Sequence, residues 1–170
     1  PIPEVESLDR LVQISAENGD TTEVLSASAR TIEMFYHSKG YPFAKVRVET
    51  KSFPKENRKE VHFTIEGLAR VRIREIAFLG NNAFPHQRLK KLVRLKEEGL
   101  FTKSRFTQEQ VQEDTENLTS FYRREGFQSA QVATDIHFDA KKKWAALTFR
   151  IEEGVQTRIG TLAIEGGHGG

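Results

Sequence analysis

From Ala130 onward apolar and polar side chains alternate. Ala130, Val132, Thr134, Ile136 and Phe138 fall on one face of an extended chain, with Gln131, Asp135 and His137 on the other. A second alternating run places Leu147, Phe149 and Ile151 opposite Thr148 and Arg150. That period of two predicts a hairpin of half-buried strands turning at Asp139 to Lys143. Upstream the period lengthens. Val111, Thr115, Leu118 and Tyr122 recur at helical spacing, with Phe121 beside them. Thr107-Gln108-Glu109-Gln110 ahead of them has the form of a capping box, and Gly126 stands where a left-handed C-terminal cap is expected. Pro85 opens a shorter helix with Leu89, Leu92 and Val93 on one face, and Gly99 ends or follows it. Before that, Ile73, Ile76 and Phe78 alternate with one extra step, which predicts a strand bulged after Ile73.

The pattern occurs twice. Ile32 to Glu66 lies over Leu118 to Glu152 at an offset of 86 residues without a gap. Phe35-Tyr36 falls on Phe121-Tyr122, Gly40 on Gly126, Tyr41 on Phe127, Ala44 on Ala130 and Val46 on Val132. Phe63 to Glu66 then falls on Phe149 to Glu152, and Arg72 to Gly80 is echoed by Arg158 to Gly166. Each copy reads as β-α-α-β-β, an α+β unit in which a three-stranded mixed sheet packs under two amphipathic helices. Three segments follow: 1–67, a unit lacking its first strand; 70–154, a complete unit; and 157–170, the first strand of a further, truncated unit. The first segment is expected to hold helices at Glu4 to Ile14 and Asp20 to Lys39, and strands at Ala44 to Thr50 and Glu60 to Glu66. Opening on Pro1-Ile2-Pro3 and closing on Gly166-Gly167-His168-Gly169-Gly170, the chain reads as part of something longer.

Composition narrows the function classes. Of 170 residues, 37% are hydrophobic, enough for a core, and no run approaches the roughly 18 to 20 apolar residues of a membrane helix. Lys plus Arg total 26 against 24 acidic residues, so the formal charge of +2 is too small for a dedicated nucleic-acid binder. The absence of cysteine removes disulfides, thiol catalysis and cysteine zinc sites. His37, His62, His86, His137 and His168 are scattered without metal-ligand spacing. Glu97-Glu98 and Glu152-Glu153 sit beside glycines and read as turn flanks, not an acid/base pair. Gly80-Asn81-Asn82 lacks a phosphate-loop pattern and reads as a plain turn. Lys141-Lys142-Lys143-Trp144 is a basic-aromatic cluster in a hairpin turn, read as solvated, with Trp144 half covering a neighbour. Tyr36 and Tyr122, repeated at one helical position, read as core. No catalytic, metal or cofactor site emerges.

Ile73 to Asn81, the helix ends Tyr36 to Tyr41 and Tyr122 to Phe127, and the closes Ile65 to Gly67 and Ile151 to Gly154 resemble the POTRA (polypeptide-transport-associated) module. The resemblance implies periplasmic modules beside a bacterial outer-membrane β-barrel, in a protein that assembles or inserts other barrels. Its partners would be unfolded outer-membrane proteins or periplasmic accessory proteins. A two-partner secretion transporter is the alternative within the family, although more than two copies favours assembly. A small α/β nucleic-acid-binding module is the alternative from another class.

The family implies a sheet order of first, third, second strand, with the second strand at an edge. Unpaired edges can accept an extended peptide by backbone pairing that is largely blind to side chains. The candidate edge residues are Ala44, Lys45, Val46, Arg47, Val48, Glu49 and Thr50 in one unit. In the other they are Ala130, Gln131, Val132, Ala133, Thr134, Asp135 and Ile136. Lys45, Arg47, Glu49 and Lys51 would project from the first edge, and Gly67-Leu68-Ala69 would set the angle between units.

Overall fold

The computed structural model describes residues 21–56, 58–158 and 160. The expected helix at Glu4 to Ile14 lies outside them, and so do six of the nine residues of the expected strand from Thr157 to Glu165. The chain runs α1 (Thr21–Ser38), β1 (Lys45–Phe53), a 3-10 turn (Pro54–Glu56), β2 (Arg58–Glu66), β3 (Arg72–Leu79), α2 (His86–Lys90), α3 (Gln108–Arg124), β4 (Gln131–Phe138) and β5 (Trp144–Glu152). β1 and β2 form an antiparallel pair. The other three strands form a mixed sheet in the order β3-β5-β4, with β3 parallel and β4 antiparallel to β5. This is the first-third-second order implied above, and β4 lies at an edge.

The register of β3 against β5 shifts between Ile73 and Glu75. That bulge keeps both Ile73 and Ile76 in the core while Arg74 and Glu75 stay exposed. Under α3 the main core gathers Val71, Ile73, Ile76, Phe78, Leu118, Leu147, Phe149 and Ile151. Phe84 makes edge-on ring contacts with Phe121, Tyr122 and Phe127. A smaller cluster of Ile32, Tyr36, Tyr41 and Ala44 seats α1 on the first sheet.

The sequence repeat is a repeat of hydrogen bonds. Tyr41 N–H reaches Tyr36 O at 3.1 Å, as Phe127 N–H reaches Tyr122 O at 3.0 Å. Ala44 N–H reaches Tyr41 O, and Ala130 N–H reaches Phe127 O, both at 3.0 Å. Gly40 and Gly126 both take positive φ, +89° and +97°, where a side chain is disfavoured. Their carbonyls accept from the next segment in the same way, Val71 N–H at 3.4 Å and Thr157 N–H at 2.9 Å.

Three boundaries differ from the sequence reading. β1 and β2 run on to Phe53 and back to Arg58, because the cross-strand ladder continues through Lys51, Ser52 and half-buried Phe53. The α2 helix stops at Lys90, although Leu89, Val93 and Leu95 are buried and Leu92 packs on the core. Beyond it Arg94 and Leu95 give their N–H groups to the Asp114 carboxylate, both at 2.9 Å, which takes them out of any helical ladder. The capping box is half built. Thr107 Oγ1 accepts from Gln110 N–H at 3.2 Å, but the Gln110 amide turns toward Glu113 and Asp114.

The two sheets meet through side chains as well as through the Gly67 link. Phe43 packs edge-on to Phe138 at 4.9 Å, Lys142 Nζ lies 4.7 Å from the Phe43 ring, and Arg70 lies over Tyr41 at 5.5 Å. Nothing in the sequence singled out Phe43, which reads as a loop residue within its own copy.

Candidate functional site: the open strand edge

A three-stranded sheet has two edges, and here they are unlike. The outer side of β3 is closed by the segment that links α2 to α3. Ile73 N–H donates to Ser104 Oγ at 2.8 Å, and Ile73 O accepts from Glu98 N–H at 2.7 Å. Ile76 N–H donates to Glu97 Oε1 at 2.9 Å, and Val71 O accepts from Phe106 N–H at 3.2 Å. Over Val71 to Ile76 these bonds take backbone groups that a foreign strand would need on this side. The sequence reading took Glu97-Glu98 as turn flanks; they also seal this edge.

β4 has no such cover. It pairs with β5 from Gln131 to Phe138, and no other strand pairs with it among the described residues. Its inward residues Val132, Thr134 and Ile136 are only half buried, while Gln131, Ala133, Asp135 and His137 are exposed. Beside it α3 leaves a groove of about 330 Å³ lined by Val111 and Ile136 and by the polar Gln108, Gln112, Thr115, Glu116 and Thr134. A Thr115–Thr134 hydroxyl contact of 2.7 Å ties helix to strand there. On the open face Arg150 pairs with Asp135 at 2.9 Å. In the first sheet β1 pairs with β2 and with no other strand among the described residues, and Lys45, Arg47, Glu49 and Lys51 are all exposed. Arg47 forms an ion pair with Glu66 across that ladder. Both candidate stretches therefore lie on strands with no second strand partner among the described residues, except Ala44 and Ala130. Those two are buried just ahead of β1 and β4. On the β1 side, however, Val46 N–H already donates to Glu33 Oε1 at 2.8 Å.

The remaining titratable groups serve the fold. His37 Nε2 donates to Ala44 O at 2.9 Å, and His86 sits edge-on to Phe78. Tyr36 and Tyr122 are core residues at 2% and 0% exposure. Burial first, then the hydrogen bond to Glu153 and that carboxylate's charge, push the Tyr122 phenol up. Glu153 also accepts from Ala83 N–H at 2.8 Å. Trp144 is half buried beneath Arg72 and Arg74, in line with the solvated-turn reading of its neighbours. No cluster of three or more His, Asp or Glu able to hold a metal occurs among the described residues.

Burial pushes the Glu97 carboxyl up, but Lys90 at 2.6 Å and the Ile76 N–H outweigh it and hold it below its usual value. A carboxyl depressed on folding stabilises the protein above its unfolded pKa, about 4.3 for Glu, and that gain is lost as pH falls through the folded value. Glu97→Gln is therefore expected to lower stability at neutral pH, with the gap to the parent protein closing below about pH 4. Urea midpoints measured across pH would check this, and a gap constant down to acid would contradict it.

Two helices over one face of a small mixed sheet, with one edge partly covered and the other without a strand partner among the described residues, define an α+β module. Residues 71–154 match the POTRA family, described as the surface antigen variable number repeat, and that segment belongs to it. A putative outer membrane protein assembly factor of Treponema pallidum is 28% identical over 96% of this chain and 20% of its own. The outer membrane protein assembly factor BamA of Neisseria meningitidis is 28% identical over 65% of this chain and 14% of its own. The chain thus spans about a fifth and a seventh of these two relatives. A crystal structure of BamA from Haemophilus ducreyi lacking POTRA domains 1–3 superposes with a TM-score of 0.57 at 19% identity, over 88% of this chain and 27% of that one. The POTRA family is a non-catalytic scaffold family, and the chain is the periplasmic portion of a bacterial outer-membrane protein. No helix among the described residues is long and apolar enough to cross a membrane.

Proposed function

We propose that the chain is a non-enzymatic scaffold of an outer-membrane β-barrel assembly protein, whose tandem units hold unfolded barrel precursors or accessory proteins by strand addition. The units correspond to segments 1–67 and 70–154, with a further one beginning near 157. The receiving strands are β4, over Ala130 to Ile136, and β1, over Ala44 to Thr50. The observation that carries the reading is the asymmetry of the second sheet. Its β3 edge is covered from Val71 to Ile76 by Ser104, Glu97, Glu98 and Phe106. Its β4 edge has no strand partner among the described residues and lies beside a groove in which Val111 and Ile136 sit among polar side chains. Backbone pairing would supply affinity and the groove would take alternate side chains of the guest, so barrel strands of many sequences could be held.

An NMR titration of the labelled chain with a peptide copied from an outer-membrane barrel strand tests this. Shifts confined to Gln131–Phe138 and the facing residues of α3, or to β1, are expected. The same peptide with alternate backbone amides N-methylated should lose binding, because its side chains persist and its N–H donors do not. Equal binding by both peptides, or silence from both, would reject strand addition.

A further inference from the structure

The segment that seals β3 ends in an anomaly. Gly99 N–H donates to Thr102 O at 2.9 Å, closing a tight turn whose two central residues are Leu100 and Phe101. These side chains are 98% and 101% exposed. Central turn positions ordinarily hold Gly, Asn, Asp or Pro, and a large apolar pair there serves neither turn geometry nor core. The turn is nevertheless firmly based. Glu98 N–H is bonded to Ile73 O, Ser104 N–H to Glu98 Oε2 at 2.6 Å, and Ile73 N–H to the buried Ser104 hydroxyl. Two large apolar groups are thus held out into solvent on a fixed base.

Cations predominate in the surroundings, although Arg74 adjoins exposed Glu75 and its charge is felt by Asp139. Lys103 adjoins the turn, and Arg72 and Lys103 are the positive charges felt by Glu98 at its base. Arg72 and Arg74 lie over the Trp144 ring at 5.6 and 5.2 Å, and Lys143 lines the same hollow as Arg72 and Trp144. The two acids of the segment are engaged, Glu97 by Lys90 and Ile76 N–H, Glu98 by Ser104 N–H. An apolar tip beside Lys, Arg and Trp has the make-up of an interfacial anchor, in which the tip enters the acyl boundary and the cations meet headgroup phosphates.

We propose that the Leu100-Phe101 turn is a membrane-surface contact, dipping into a phospholipid bilayer with anionic headgroups while Arg72, Arg74, Lys103 and Lys143 bind the phosphates. A bilayer fits better than a protein socket. The tip is convex and only two residues wide, whereas a stable protein interface needs about 800 Å² of matched surface on each side. The chain also belongs to an outer-membrane protein, so a bilayer is always near.

Flotation of the 170-residue chain with vesicles tests the proposal. Vesicles of phosphatidylethanolamine and phosphatidylglycerol at low salt should carry the chain up, and phosphatidylcholine vesicles should carry little. The L100S/F101S double variant should bind about fivefold less or weaker still, with an unchanged unfolding midpoint because neither side chain is buried. The indole of a Phe101→Trp variant should shift to the blue on anionic vesicles, read against the parent with Trp144 alone. Absence of flotation, or equal flotation by L100S/F101S, overturns the insertion. A blue shift produced by a periplasmic protein extract but not by vesicles overturns it in favour of a protein socket.

Discussion

Asp114→Ala is expected to destabilise the protein by about 3 kcal/mol, the largest loss from any single polar group described here. Asp114 has 0% exposure on the buried face of α3. Its two oxygens take the N–H groups of Arg94 and Leu95 at 2.9 Å each, and Oδ1 also accepts from the Gln110 amide at 3.2 Å. Alanine would strand two backbone donors where the chain leaves α2, and the Leu95 N–H, which is buried, would lose its partner without gaining water. Asp114→Asn keeps one acceptor oxygen and should cost about half as much. Urea denaturation reads the difference as a lower midpoint at unchanged slope. Hydrogen exchange should accelerate first at Arg94 and Leu95. A cost below about 1 kcal/mol for the alanine variant would mean the chain re-pairs those donors easily.

Gly126→Val is expected to cost about 2 kcal/mol or more, from two separate sources. At φ +97° a β-branched residue is strained, and a Cβ there would stand 2.5 Å from Thr157 O. The strain acts on the end of α3, and the clash acts on the segment that Gly126 O holds through Thr157 N–H. Relief of one cannot relieve the other. Gly99→Ala makes the control, because Gly99 has no positive φ and a Cβ there meets nothing nearer than Thr102 at 3.9 Å. Thermal unfolding of the pair should separate them clearly, and equal midpoints would contradict the cap at Gly126.

Period and repetition made most of the fold legible. Tyr36 and Tyr122 share a helical position and are both core, and the extra step after Ile73 became a bulge. Alternation along Val132, Thr134, Ile136 and Phe138 located the β4 stretch. What stayed hidden has no period. Glu97, Ser104 and Asp114 bond to the backbone of residues about 20 or 30 positions away, and a polar residue gives no sign in sequence of which distant N–H it will meet. The candidate site was therefore half legible. The strand itself could be read, but the contrast between a sealed edge and a bare one depends on those contacts. Phe43 was missed for a related reason, since its partners Phe138 and Lys142 belong to the other copy.

The sealing of β3 also bears on how such a chain changes length. If neighbouring sheets were zipped into one ribbon, inserting or deleting a repeat would force every later strand to find a new alignment. Here the segment 97–106 insulates one ladder, and the link from unit to unit is one amide on a glycine carbonyl plus a few ring contacts. A step of 86 residues, the distance from Tyr36 to Tyr122, can be gained or lost while each ladder keeps its own alignment. Reach thereby becomes a quantity that evolution can adjust in whole steps, at little risk to the packing of any one of them.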